Sequence, residues 1–199
     1  MKQFYKILLA LVLLLAMAVN AGAMEQKSIT RQNSEYASAN WVQNEGDIVT
    51  QTYLYVEKVN GNTYISLSIQ TYNELTGYWS NKYGNMYTQD NVFSISKNFN
   101  SACLSEIEME VYENYYDDMG GWTYNVETIT VKADWNGKGE ITEDRSKYVS
   151  KYGDSTSRTG AASVSRSATA TGSINNYRLG EDPYATISSY NSVSKYMEK

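Results

Sequence analysis

The chain of 199 residues contains no histidine, one cysteine and one proline. The missing histidine removes the commonest general base, the Ser-His-Asp and Cys-His nucleophile arrangements, and the usual zinc ligand sets. With Cys103 alone, neither an intrachain disulfide nor a cysteine metal cluster can form. Asparagine is abundant, yet no Asn-x-Ser/Thr sequon occurs. Nor is there a Gly-x-Gly-x-x-Gly strand-to-helix unit or a phosphate-binding loop. These absences exclude most familiar enzyme classes and predict a protein with no cofactor that is not an enzyme.

Long apolar runs are also absent, with one exception at the start. MKQFYKILLALVLLLAMAVNAGA places Lys2 and Lys6 before an unbroken apolar run over residues 7–19, and ends on the small residues Ala21, Gly22 and Ala23. That order predicts a signal peptide over residues 1–23, cleaved after Ala23. The run is too short to span a bilayer, which takes about 20 apolar residues. No cysteine follows the cleavage point to carry a lipid, and no second spanning segment occurs. The expectation is a secreted, extracellular product without membrane insertion, and one domain over residues 24–199. That part carries 15 basic and 22 acidic residues, a net charge of −7. Net acidity argues against nucleic acid and anionic lipid as partners, because phosphate binding needs clustered Lys and Arg.

What remains is rich in Tyr, Ser, Thr, Asn and Val, and several segments alternate with period two. In DIVTQTYLYVEKV, Ile48, Thr50, Thr52, Leu54 and Val56 share one face, and Val49, Gln51, Tyr53, Tyr55 and Glu57 the other. Asn60-Gly61 then supplies the positive φ angles of a tight hairpin turn. TYISLSIQTY resumes the pattern, with Ile65, Leu67 and Ile69 opposed to Tyr64, Ser66, Ser68, Gln70 and Tyr72. A second pair follows. Cys103, Ile107, Met109 and Val111 fall on one face of the first strand, and Ile129, Val131, Ala133 and Trp135 on one face of the second. This phase predicts a buried Cys103. Weaker strands are expected near residues 35–42, 82–87, 92–97 and 161–172, the last with Ala162, Val164, Ala168 and Ala170 in one phase. The stretch Trp135-Asn136-Gly137-Lys138-Gly139 reads as a turn, residues 146–159 as a polar surface loop, and the C-terminal ISSYNSVSKYM as a short helix or a last strand. The pattern predicts an all-β fold, an antiparallel β-sandwich or alternatively a small β-barrel.

The run Asp134-Trp135-Asn136-Gly137-Lys138-Gly139, with the later Arg166-Ser167-Ala168-Thr169-Ala170-Thr171-Gly172, resembles a pattern in uncharacterised, Tyr/Ser-rich exported β proteins of prokaryotes. The resemblance covers mainly the C-terminal half. It implies an all-β fold and carries no catalytic residue.

Three kinds of site deserve weighing. Glu106, Glu108 and Glu110 stand two apart on one strand face, about 6.5 to 7 Å between neighbours, a spacing that inverting glycan hydrolysis can use. An exposed charged face explains the same column without catalysis. In ENYYDDMGGWTY, Asp117 and Asp118 offer hard oxygen ligands for calcium, while with Gly120 and Gly121 they also suit a hairpin tip. Asp134-x-Asn136 opens like a calcium loop, but Lys138 and Arg145 occupy its fifth and twelfth positions, so that motif fails. The third kind is aromatic. Tyr53, Tyr55, Tyr64 and Tyr72 lie in the polar phase of paired strands, and Tyr115, Tyr116 and Trp122 flank the hairpin tip. Tyr and Trp give rigid, amphipathic contact area suited to sugar rings or another protein. The expected function is therefore non-enzymatic recognition of a glycan or a cell-surface protein. The alternatives are a carboxylate-dependent glycan hydrolase and a structural envelope component.

Overall fold

The computed structural model describes residues 25–116 and 122–198. It is all β: β1 (Glu25–Glu45), β2 (Ile48–Val59), β3 (Asn62–Asn73), β4 (Trp79–Thr88), β5 (Phe93–Ile95), β6 (Ser101–Tyr116), β7 (Trp122–Tyr152), β8 (Ser155–Ile174) and β9 (Tyr177–Glu198). They form one antiparallel sheet in the order β4-β3-β2-β1-β9-β8-β7-β6-β5. A further pairing, Lys82↔Glu113 and Tyr83↔Tyr112, joins β4 to β6 and closes the hydrogen bonding into a ring. It is not a regular barrel. Two residue pairs make the closure, β5 pairs with the opposite end of the same β6 edge, and four strands run on past the ring.

The ring forms because its strands each carry an apolar phase that must leave water. Leu54, Val56, Ile65, Leu67, Val111, Val131 and Trp135 turn inward with Trp41, Phe93 and Ile187. Burying each large side chain contributes roughly 1.5–3 kcal/mol. Each of the two tryptophans is tied to the backbone by its indole N–H. Trp41 Nε1 donates to Ala170 O at 3.1 Å and Trp135 Nε1 to Ser38 O at 2.9 Å. Phe93 meets Trp135 edge-on at 6.3 Å. Opposite them the sequence supplies small residues: Ala37, Ala39, Ala168 and Ala170 are buried, and a Cβ at Gly172 would stand 3.0 Å from Trp41.

Turn chemistry sets the registers. Asn60 and Gly61 have φ of 49° and 92°, the paired positive values of a two-residue hairpin turn, as expected from Asn-Gly. Asn175 and Asn176 (φ 47° and 64°) turn β8 into β9 in the same way. Asn175 also docks on β7, its N–H donating to Thr130 O and its Oδ1 accepting from Thr130 N.

Three expectations need correction. Residues 146–159 are not a loop: β7 runs to Tyr152, turns at Gly153 (φ 57°) and returns as β8, with Lys147 opposite Gly160 and Tyr152 opposite Ser155. Residues 135–139 are not a turn either. β7 passes through them with two extra residues between Gly137 and Ile141, and Gly139 absorbs the irregularity at φ 70°. Cys103 is exposed, not buried. A register shift between Leu104 and Ile107 reverses the phase, so Ala102 and Leu104 point inward with Ile107, Met109 and Val111. Partial burial and the hydrogen-bonded Asp134 carboxylate opposite hold the Cys103 thiol above its ordinary pKa.

Candidate functional site

The outward phase of β1 to β4 is built from five cross-strand rows. Tyr36, Glu57, Tyr64 and Tyr87 form one, and Ser38, Tyr55, Ser66 and Asn85 the next. Asn40, Tyr53, Ser68 and Tyr83 follow, then Val42, Gln51, Gln70 and Asn81, and last Asn44, Val49, Tyr72 and Trp79. Of these twenty positions eight are aromatic, six are amides and three are serines, while Glu57 is the only charged residue. The period-two alternation explains the segregation. The same strands send Ala37, Leu54, Ile65 and their neighbours into the core, so the polar phase is left to face water.

The rings lie close enough to support one another. Tyr36 and Tyr55 have centroids 6.4 Å apart, Tyr55 and Tyr64 6.4 Å, and Tyr64 and Tyr87 4.8 Å. At the ring closure a second series runs from Tyr83 to Tyr112 of β6 and on to Tyr124 of β7, each step 6.2 Å. Amides tie the face together: Gln51 Nε2 donates to Asn40 Oδ1 at 3.1 Å, Tyr64 Oη to Asn85 Oδ1 at 2.8 Å, and Ser68 Oγ to Asn81 Oδ1 at 3.2 Å. Burial, with the nearby Glu57 carboxylate adding to it, pushes the Tyr55 pKa up to about 12. The hydrogen bond to Glu110 raises that of Tyr112. Both phenols therefore stay neutral at physiological pH, each beside one carboxylate, Glu57 or Glu110.

Of the aromatic residues nominated by sequence, Tyr55 and Tyr64 are brought together. Tyr53 and Tyr72 lie on the same face in separate rows and are both half-exposed. Tyr115, Tyr116 and Trp122 end the β6–β7 hairpin, where Tyr116 pairs with Trp122 through the backbone. Asp117, Asp118, Gly120 and Gly121 lie outside the described residues. Among the described residues no group of three carboxylate or thiol side chains converges as a metal centre requires. Glu106 sits 3.9 Å from Lys132 in an exposed pair, and the Glu108 and Glu110 side chains share that open strand surface. A cavity of about 190 Å³ at the ring mouth holds Glu127 as its one carboxylate, and another of about 280 Å³ holds Asp134.

Sequence reasoning missed Tyr36, Tyr87, Tyr83, Tyr112 and Tyr124. Period-two alternation within their own strands signals an outward phase, but only the strand order shows that β4 lies between β3 and β6. The two segments that carried the resemblance are neighbours in the fold, with Asp134 opposite Thr171 and Asn136 opposite Thr169. No family model, curated protein or solved structure matches this chain.

Proposed function

We propose that the protein is exported and recognises an uncharged glycan at the cell exterior through the outer face of β1 to β4, without catalysing a reaction. The observation that carries this reading is the composition of that face: eight aromatics interleaved with six amides and three serines, and one charge among twenty positions. Rings present apolar surface to the C–H faces of sugars, while amides and hydroxyls match sugar hydroxyls as both donors and acceptors. Paired strands and mutual ring contacts hold the groups in place before binding, which lowers the entropy lost on contact.

The same composition separates partner classes. An acidic polysaccharide or nucleic acid would need Lys or Arg, and the face has neither. A protein partner would favour an apolar centre, but Val42 and Val49 are the only aliphatic residues there. The test is a pull-down of the purified protein with insoluble neutral and acidic polysaccharides, beside an array of soluble glycans. Retention by neutral glycans that persists in high salt is expected. Binding confined to acidic glycans and abolished by salt would contradict the reading, as would no retention by any glycan.

A further inference from the structure

Beyond the ring, residues 25–33 of β1, the C-terminal part of β9, the N-terminal part of β8 and residues 141–152 of β7 continue as a four-stranded extension. Its rows run straight across. Arg31 is level with Val193, Gly160 and Lys147, and Ile29 with Lys195, Arg158 and Val149. Every residue from Ser28 to Asn33 and from Ile141 to Val149 is exposed, as expected of edge strands. Among the described residues no strand pairs with the outer side of either segment. Unpaired edges of this kind are templates for adding another strand.

The two edges are not equivalent. The β1 edge is short: a register shift between Gln26 and Ser28 interrupts one end, and Asn60 takes both backbone groups of Asn33 at the other. The β7 edge is regular in register from Ile141 to Tyr152, with neither Gly nor Pro, and one backbone N–H on it, that of Arg145, is engaged by a neighbouring side chain, donating to Asp144 Oδ1 at 2.8 Å. From this edge we propose that a second copy of the same chain docks, β7 against β7, in an antiparallel pairing with its two-fold axis at Arg145.

Symmetry, charge and apolar pairing together select that register. Backbone groups of a strand face its two sides alternately, so a two-fold strand pair must match odd with odd and even with even positions. Centring on Asp144 sets Glu143 against Arg145 twice, but it stacks the Asp144 carboxylate on its own copy and leaves the apolar Ile141 against Lys147 twice. Centring on Ser146 sets Arg145 against Lys147 twice. Centring on Arg145 sets Glu143 against Lys147 twice and the exposed apolar Ile141 against Val149 twice. Arg145 then meets its own copy on the axis, each guanidinium already paired with Glu143 of its own chain at 3.2 Å and diagonal to that of the other chain. Opposite charges and apolar pairs placed directly across strands each stabilise the pairing. The competing arrangement, β7 of one copy on β1 of the next, would grow without closing. The β1 edge is shorter and interrupted at both ends, so a closed dimer is the expected product.

Sedimentation of the purified protein at increasing concentration tests this. A monomer–dimer equilibrium is expected. Lys147→Glu should weaken dimerisation roughly tenfold or more, because both cross-strand pairs become like-charged. Combining Glu143→Lys with Lys147→Glu should recover part of the lost affinity, because the cross-strand signs match again while Arg145 loses its Glu143 partner. A monomer at all concentrations, a dimer indifferent to Lys147→Glu, or growth past the dimer would each overturn the proposal. Glycan retention is read in a separate assay, so failure of the dimer leaves the proposed binding face to stand or fall alone.

Discussion

At the level of single residues, Tyr55 concentrates the chemistry of the outer face. Its pKa is pushed up to about 12 from 10.0, chiefly by burial and then by Glu57. A raised value means the folded chain holds the proton more tightly than the unfolded chain. The stabilising contribution is thus complete below pH 10 and is lost as pH rises toward 12. Absorbance titration of tyrosinate in the folded protein should show a late-ionising phenol that disappears in Tyr55→Phe, and the variant should lose less stability between pH 10 and 12. An unchanged titration curve would contradict the burial of this phenol. Tyr55 and Tyr64 could be read from sequence because a two-residue turn fixes β2 against β3, so polar phase in one strand is polar phase in the next. Cys103 could not: one register shift beyond it, between Leu104 and Ile107, reverses the phase on which the reading depends.

Among the strands, legibility follows burial. Strands with one wet and one dry face announce themselves by alternation, and β2, β3 and the inner part of β7 are read correctly for that reason. In the extension the outer strands are exposed and the buried positions of β8 are mostly small or polar, such as Thr156, Gly160 and Ala162, so residues 146–159 show no apolar period although all but the turn at 153–154 are strand. The irregularity at Gly139 has the composition of a turn because positive φ is needed at both. Ring closure depends on a close approach that composition does not display. A Cβ on Gly84 of β4 would stand 2.3 Å from Glu110 O of β6. Backbone cannot move aside as a flexible side chain does, so Gly84→Ala should force β4 from β6. The expected cost is about 1–3 kcal/mol, the range for overpacking, read as a lower urea midpoint. An unaltered midpoint would show that the two strands do not meet this closely.

For the molecule as a whole, composition indicates the broad class and the ring order assigns the surface its meaning. Abundant Tyr, Ser, Thr and Asn, with a single proline, suit strands whose outer phase stays in water. That phase becomes one continuous face only because β1 to β4 lie side by side and β4 closes on β6. We propose that this face, and not tyrosine content in general, binds glycan. That proposal is tested most directly by measuring affinity for a retained neutral polysaccharide in two double variants. Tyr55→Ala with Tyr64→Ala removes the middle of the aromatic series. Tyr152→Ala with Tyr184→Ala removes two rings that are more exposed, at 89% and 88%, but lie elsewhere. Each lost ring removes an apolar contact with the C–H face of a sugar and should cost about 0.5–1.5 kcal/mol, the scale of aromatic contacts. The account predicts about a tenfold loss of affinity in the first variant and parent affinity in the second. Equal losses in both, or none in the first, would contradict it.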